Sequence, residues 1–150
     1  HNSKTIYYID EAVIEKGKHW SAFDPQQKTI YWDPDILVET PDNIYVSPAT
    51  ILAHESAHAV KYDEILQSND ATERKQYINS VQSIPDYEYF SKEEFRVITG
   101  PEQTAARKHR EIRNDQVTRK SHKNSKLIPI PDGISFEELS KSIFEHNNLL

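Results

Sequence analysis

His54-Glu55-Ser56-Ala57-His58 places two imidazoles four residues apart with a carboxylate directly after the first. On a helix four residues span about 400°, so both imidazoles leave one face about a turn apart. From there both ring nitrogens can reach a single tetrahedral ion at roughly 2.0–2.1 Å. Glu55 lies about 100° round the helix from His54. That makes it a poor third ligand on the same ion and a good base for a water beside it. The chemistry this points to is zinc-assisted hydrolysis, with His54 and His58 as metal ligands and Glu55 as the catalytic base.

The pattern works only on a helix, and the flanking residues supply one. Ser47 is a good N-cap, and Pro48 falls at the first helical position, where its missing N–H costs nothing. Ala49, Ile51, Leu52, Ala53, Ala57, Ala59 and Val60 surround the motif with small or apolar side chains. Histidines in so apolar a helix need partners once buried, and a metal ion satisfies two at once.

A catalytic zinc normally takes three protein ligands and keeps one position open. The extended pattern H-E-x-x-H-x-x-G-x-x-H is closed here, because Lys61 stands for the glycine and Glu64 for the last histidine. The helix therefore runs on, and the third ligand is expected from a later one. Glu94 is the leading candidate, since its helical neighbours Phe90, Val97 and Ile98 are all apolar. Glu93, Glu102 and Asp63 are the alternatives. Glu94 also sits three residues after Ser91, where a glutamate can simply close a capping box. A donor must also face the oxyanion in any amide hydrolysis. His109, Arg113 and Tyr62 are the candidates. Each liganding histidine further needs an acceptor for its second ring nitrogen, and the sequence does not say which acid supplies it.

The remaining elements suggest how these groups are positioned. Residues 5–9 and 29–32 are β-branched and aromatic and read as strands, and residues 43–46 as a short extended entry into the helix. Residues 11–18 are ambiguous. Thr29-Ile30-Tyr31-Trp32 is the strand expected to pair with an extended peptide by strand addition. Helices are expected over 71–81, over 91–99 and from Pro101 to about 109, with Gly100-Pro101 breaking the chain between the last two. Residues 127–130 read as a short strand. Ser135 and Glu138 cap a last helix with Phe136, Leu139, Ile143 and Phe144 on one side. The fold class is α+β, with a small N-terminal sheet packed on the H-E-x-x-H helix and a mainly helical second half.

Composition narrows the classes. The 150 residues suit a single domain, and a mean hydropathy of −0.78 with no long apolar run excludes a membrane span. Cysteine is absent, which removes disulfides and thiolate ligands. A chain that starts at His1 and has no methionine is expected to be a piece excised from a longer protein. Net charge is −6, yet residues 107–126 hold eight Lys or Arg against two acids. That stretch could grip nucleic acid or another acidic partner. It has no aromatic for base stacking, so a solvated face is the expectation, and nucleic acid is not the expected partner.

H-E-S-A-H, followed by E-E-F-R-V-I-T-G-P-E-Q-T-A-A-R and then E-I-R-N-D, resembles the zincin metallopeptidase domains at the C-termini of bacterial polymorphic toxins, such as Rhs-type proteins. The resemblance covers roughly residues 50–115. It implies a zincin-like fold and a Zn2+-dependent peptidase, with His54 and His58 as ligands, Glu55 as base and Glu93 or Glu94 as third ligand. It also implies delivery by a secretion system, as part of a larger protein, into a target cell where a protein is cleaved. A monomer, and a cognate immunity protein as partner, are expected. One departure is local: Lys108-His109-Arg110 stands where a short glycine-containing turn is expected before Glu111.

Overall fold

The computed structural model describes residues 5–12 and 21–149. Most of the ambiguous stretch 11–18 lies outside them. Among the described residues two three-stranded sheets and five α-helices make an α+β fold, as the sequence implies.

The first sheet holds β1 (Tyr8–Glu11), β2 (Ala22–Asp24) and β3 (Thr29–Trp32) in the order β1-β3-β2. β1 runs parallel to β3, and β2 antiparallel to it. The expected docking strand, Thr29–Trp32, is therefore the middle strand, with both of its edges already paired. Among the described residues the edges of this sheet are β1 and β2, and strand addition needs an edge. Sequence propensity marks a strand but says nothing of its neighbours, because pairing is a long-range choice.

The second sheet, β5-β4-β6, is antiparallel throughout: β4 (Ile36–Glu39) lies between β5 (Tyr45–Val46) and β6 (Lys126–Pro129). The expected strand at 127–130 is present, one residue earlier. Ile36-Leu37-Val38 was not anticipated as a strand. It is pulled into order by β6, which arrives from the far end of the chain.

The H-E-x-x-H helix, α1 (Pro48–Gln67), is capped by Ser47, whose hydroxyl accepts from the Thr50 N–H at 3.2 Å. Its first turn packs on a core of Val38, Ile44, Val46, Ile51, Ala106 and Ile112, with Trp32 and Leu127 at the border. The Trp32 indole donates to the Pro48 carbonyl at 2.8 Å and fixes the first sheet against the helix start. The buried stripe of α1 is half polar, with Thr50, His54, Glu55 and Asp63 beside Ile51, Ala59 and Ile65. Val60 and Leu66 face solvent instead.

α2 (Ala71–Ser80) buries nothing. α3 (Lys92–Val97) does not end at Gly100-Pro101. Residues Ile98–Glu102 continue as a π-helical turn into α4 (Gln103–Lys108). Proline cannot donate in an α ladder, and the wider π turn carries the chain past it without a break. α5 (Phe136–Asn148) has the expected Ser135–Glu138 capping box. Its contact face differs, because Ile143 and Asn147 are buried while Phe136 and Phe144 are exposed.

Candidate metal centre

His54, His58 and Glu94 come together as one cluster that could hold a metal ion. The two Nε2 atoms are 3.2 Å apart. Glu94 faces both: one carboxylate oxygen is 3.3 Å from His54 Nε2, and the other 3.2 Å from His58 Nε2. Two carboxylate oxygens and two imidazole nitrogens thus converge on one point. With neutral rings such a convergence of lone pairs is repulsive unless a cation sits among them.

The capping alternative for Glu94 is half realised. Ser91 does cap α3, accepting from the Glu94 backbone N–H at 3.1 Å. The Glu94 carboxylate, however, turns to the imidazoles rather than back to the cap.

Both rings are held from behind by carboxylates. His54 Nδ1 lies 2.8 Å from a Glu102 oxygen, and His58 Nδ1 lies 3.2 Å from a Glu93 oxygen. Nδ1–H therefore donates outward in each ring, which directs the Nε2 lone pairs into the cluster. These acids are anchored in turn. Arg96 donates its Nε to Glu93 at 2.8 Å and reaches the Ala57 carbonyl at 3.2 Å. Thr118 Oγ1 donates to Glu102 at 2.6 Å, and Arg119 grips the same carboxylate through Nε and Nη2. Glu93 and Glu102, alternatives for the third ligand, thus serve as the acceptors that orient the rings. The π turn is what aims Glu102 at His54.

The charges call for a cation. Glu55, Glu93, Glu94 and Glu102 oppose Arg96 and Arg119, leaving a formal −2 when both imidazoles are neutral. Without a metal, protons fill the gap. Burial works against a charged His54, but the hydrogen bonds to Glu102 and Glu94 outweigh it and lift its pKa to about 10. His58 moves up for the same reasons, burial being overcome by Glu93 and Glu94. Burial likewise opposes charge on Glu94, yet hydrogen bonds from both histidines hold it far below the usual carboxylate range. Glu55 goes the other way. Burial dominates and raises its pKa, against the pull of the two histidines and a hydrogen bond from the Phe23 backbone N–H.

The cluster is reached from a cleft of about 520 Å³ that Glu55, His58 and Glu94 share with Phe23, Tyr62 and Tyr77. His54 and Glu55 also border a smaller recess of about 60 Å³, beside Val38 and Leu127. His122 lines both spaces, with Nε2 3.5 Å from Glu94. Burial and the Arg119 charge lower its pKa to about 4, so it is neutral near pH 7. The sequence offered no sign of this residue beyond its type. It is brought in by its own backbone N–H bond to the Glu88 carbonyl at 2.8 Å.

Comparison with protein-family models, with curated proteins and with solved structures finds no match. What the site can do follows from its own geometry.

Of the other residues expected at the site, Tyr62 lines the cleft, but His109 and Arg113 stand elsewhere. His109 Nδ1 meets Thr50 Oγ1 at 2.9 Å in the first turn of α1, one turn before His54. Arg113 pairs with Asp115 at 3.3 Å and donates to Asn148 at 2.9 Å. Asp63 is buried further along α1, where Gln67 donates to it at 2.7 Å. The basic stretch is largely engaged: Arg107 bonds Gln103 and the Gln116 carbonyl, Arg119 holds Glu102, and Lys120 and Lys126 pair with Asp42 and Glu39.

Proposed function

We propose that this chain is a zinc-dependent peptidase, with His54, His58 and Glu94 as the metal ligands and Glu55 as the base. The observation that carries it is the spacing of the donor atoms of His54, His58 and Glu94. Ligands at 2.0–2.1 Å from a tetrahedral zinc stand roughly 3.3–3.4 Å apart. Here the two Nε2 atoms are 3.2 Å apart, and each meets a different Glu94 oxygen, His58 at 3.2 Å and His54 at 3.3 Å. Nitrogen and oxygen donors of this kind suit zinc, and the outward Nδ1–carboxylate bonds are the usual supports of zinc-binding imidazoles.

When bound, zinc supplies a Lewis acid that polarises a scissile carbonyl and acidifies water. The protein's own groups do the rest. The Glu55 carboxylate, its affinity for protons raised by burial, takes a proton from the attacking water and returns it to the leaving amine. The Phe23 N–H holds that carboxylate in place. β2, an edge strand at the rim of the cleft, can pair with an extended peptide and lay its backbone across Glu55. His122, neutral and facing the same space, is placed to donate to the developing oxyanion.

The resemblance to toxin-borne zincins supports an effector delivered by a secretion system that cleaves a protein in the target cell. An antibacterial version requires a cognate immunity protein, whereas one aimed at eukaryotic cells does not. Zinc-loaded wild type and Glu55→Gln should be compared on an unfolded protein substrate. Hydrolysis should fall 10²-fold or more in the variant, with zinc content and melting temperature nearly unchanged. Equal hydrolysis by both proteins would refute the mechanism.

A further inference from the structure

None of the residues of α2 is buried, and where its apolar side chains go is informative. Its sequence is polar apart from Ala71, Tyr77 and Ile78, with Val81 at its C-cap. Tyr77, Ile78 and Val81 all line the 520 Å³ cleft. Ile78 is 58% exposed and Val81 44%. Apolar groups left facing water on one side of a cleft mark surface that a ligand can cover.

The helix is fixed in this position rather than loosely attached. Asp70 caps it through the Thr72 N–H at 2.7 Å, Ser68 donates to Glu73 at 2.5 Å, and Tyr77 rests 6.3 Å from the Tyr62 ring. Tyr62 in turn meets Phe23 edge-on at 5.8 Å. An aromatic and aliphatic wall therefore runs from β2 across α1 to α2, and its floor is Glu55 and the His58–Glu94 side of the metal centre.

A second recess, which shares Ser21, His54, Glu55 and His122 with the cleft, differs from it in size. This recess is about 60 Å³. Two polar atoms of its lining residues, His122 Nδ1 and Ser125 Oγ, are buried with no hydrogen-bond partner among the described residues. It has room for backbone or a very small side chain, not for an aromatic ring.

We infer that the cleft selects an extended peptide carrying a large apolar or aromatic side chain on one side of the scissile amide and a small residue on the other. The large side chain would lie against Tyr77, Ile78 and Val81. This rests on the peptidase reading for the position of the amide, but the apolar wall can be tested without turnover.

The test uses short peptides that differ at one position (Phe, Tyr, Leu, Ala, Glu or Lys) among small residues. Binding is measured by fluorescence anisotropy on zinc-loaded Glu55→Gln, and cleavage on wild type. Phe, Tyr and Leu peptides should bind at least tenfold more tightly than the Ala peptide, as expected for burying such a side chain. In Ile78→Ser/Val81→Ser, whose exposed positions leave the core intact, that ratio should fall to about twofold. Equal or undetectable binding of all six peptides would overturn the inference, as would unchanged selectivity in the double variant. Selective binding without cleavage by wild type would uphold the wall and sink the peptidase reading. Cleavage without any side-chain preference would do the reverse.

Discussion

Glu102 and Glu111 stand at opposite ends of α4, both fully buried and both beside a histidine, yet their surroundings give them different work. Glu111 accepts from the Ser47 N–H at 3.2 Å and from Thr50 Oγ1 at 2.8 Å, and the Ser47 hydroxyl also donates to it. It places a negative charge at the positive end of α1, where it needs no cation. His109 completes that set, and its pKa rises through its hydrogen bond to Glu111. Glu102 instead joins a cluster in which four carboxylates face two guanidiniums. One network closes on itself and holds the helix start. The other stays short of positive charge and holds a ring nitrogen open. A buried His–Glu pair is thus a functional signal only when its wider charge balance is unmet.

Removing each glutamate should break the comparison cleanly. Glu111→Ala strands several buried donors and should cost about 3 kcal/mol of stability, with zinc affinity unchanged. Glu102→Gln should cost about 10- to 100-fold in zinc affinity, because a ring-orienting acceptor is weakened. Thermal melts and chelator competition on both variants measure the two effects. Loss of zinc affinity in Glu111→Ala alone would reverse the assignment.

The same contrast shows how far the sequence could be read. The spacing of His54 and His58, the Ser47-Pro48 helix start and the apolar neighbours of Glu94 are local features, and the structure brings these residues together. Glu102 was readable only as an alternative ligand, since Gly100-Pro101 suggests a break where a π turn carries the chain on. His109 and Glu111 lie two residues apart in sequence, which does not reveal that both meet Thr50 at the start of α1. His122 and Arg119 could not be found at all. They are in a loop set by Glu88 and Glu102, contacts that no short-range pattern records. Likewise, the strand at 29–32 was evident, but its central place in the sheet depends on β1 and β2.

Acidity sharpens the contrast. In the metal-free protein His54 is raised from 6.5 to about 10. Its contribution to stability is therefore full below about pH 6.5 and fades as pH rises towards 10. Glu102, lowered from 4.5 to about 2 because Arg119 and His54 overcome its burial, contributes above pH 4.5 and less as pH falls towards 2. Chelator-treated protein should melt at steadily lower temperature from pH 7 to 10. Zinc-loaded protein, whose His54 Nε2 carries no proton, should lack that alkaline decline. Parallel curves for the two forms would argue against a shared site.

The smallest effect tests the turn between the two networks. Arg110 takes a left-handed backbone at φ 61°, and the Glu111 N–H closes the helix end on the Ala106 carbonyl at 2.8 Å. Arg110 lies within Lys108-His109-Arg110, where the resemblance to toxin zincins implies a glycine-containing turn, and glycine adopts that conformation without a Cβ penalty. Arg110→Gly should stabilise the protein by about 0.5–1 kcal/mol, seen as a modest rise in melting temperature. A fall would mean that the arginine side chain matters more than its backbone.

The most direct test of the metal centre is zinc titration against a competing chelator in wild type, Glu93→Ala and Glu94→Ala. Wild type should bind about one zinc per chain, Glu93→Ala about 10- to 100-fold more weakly, and Glu94→Ala far more weakly still, since only two ligands remain. One zinc bound as tightly by Glu94→Ala as by wild type would contradict the account.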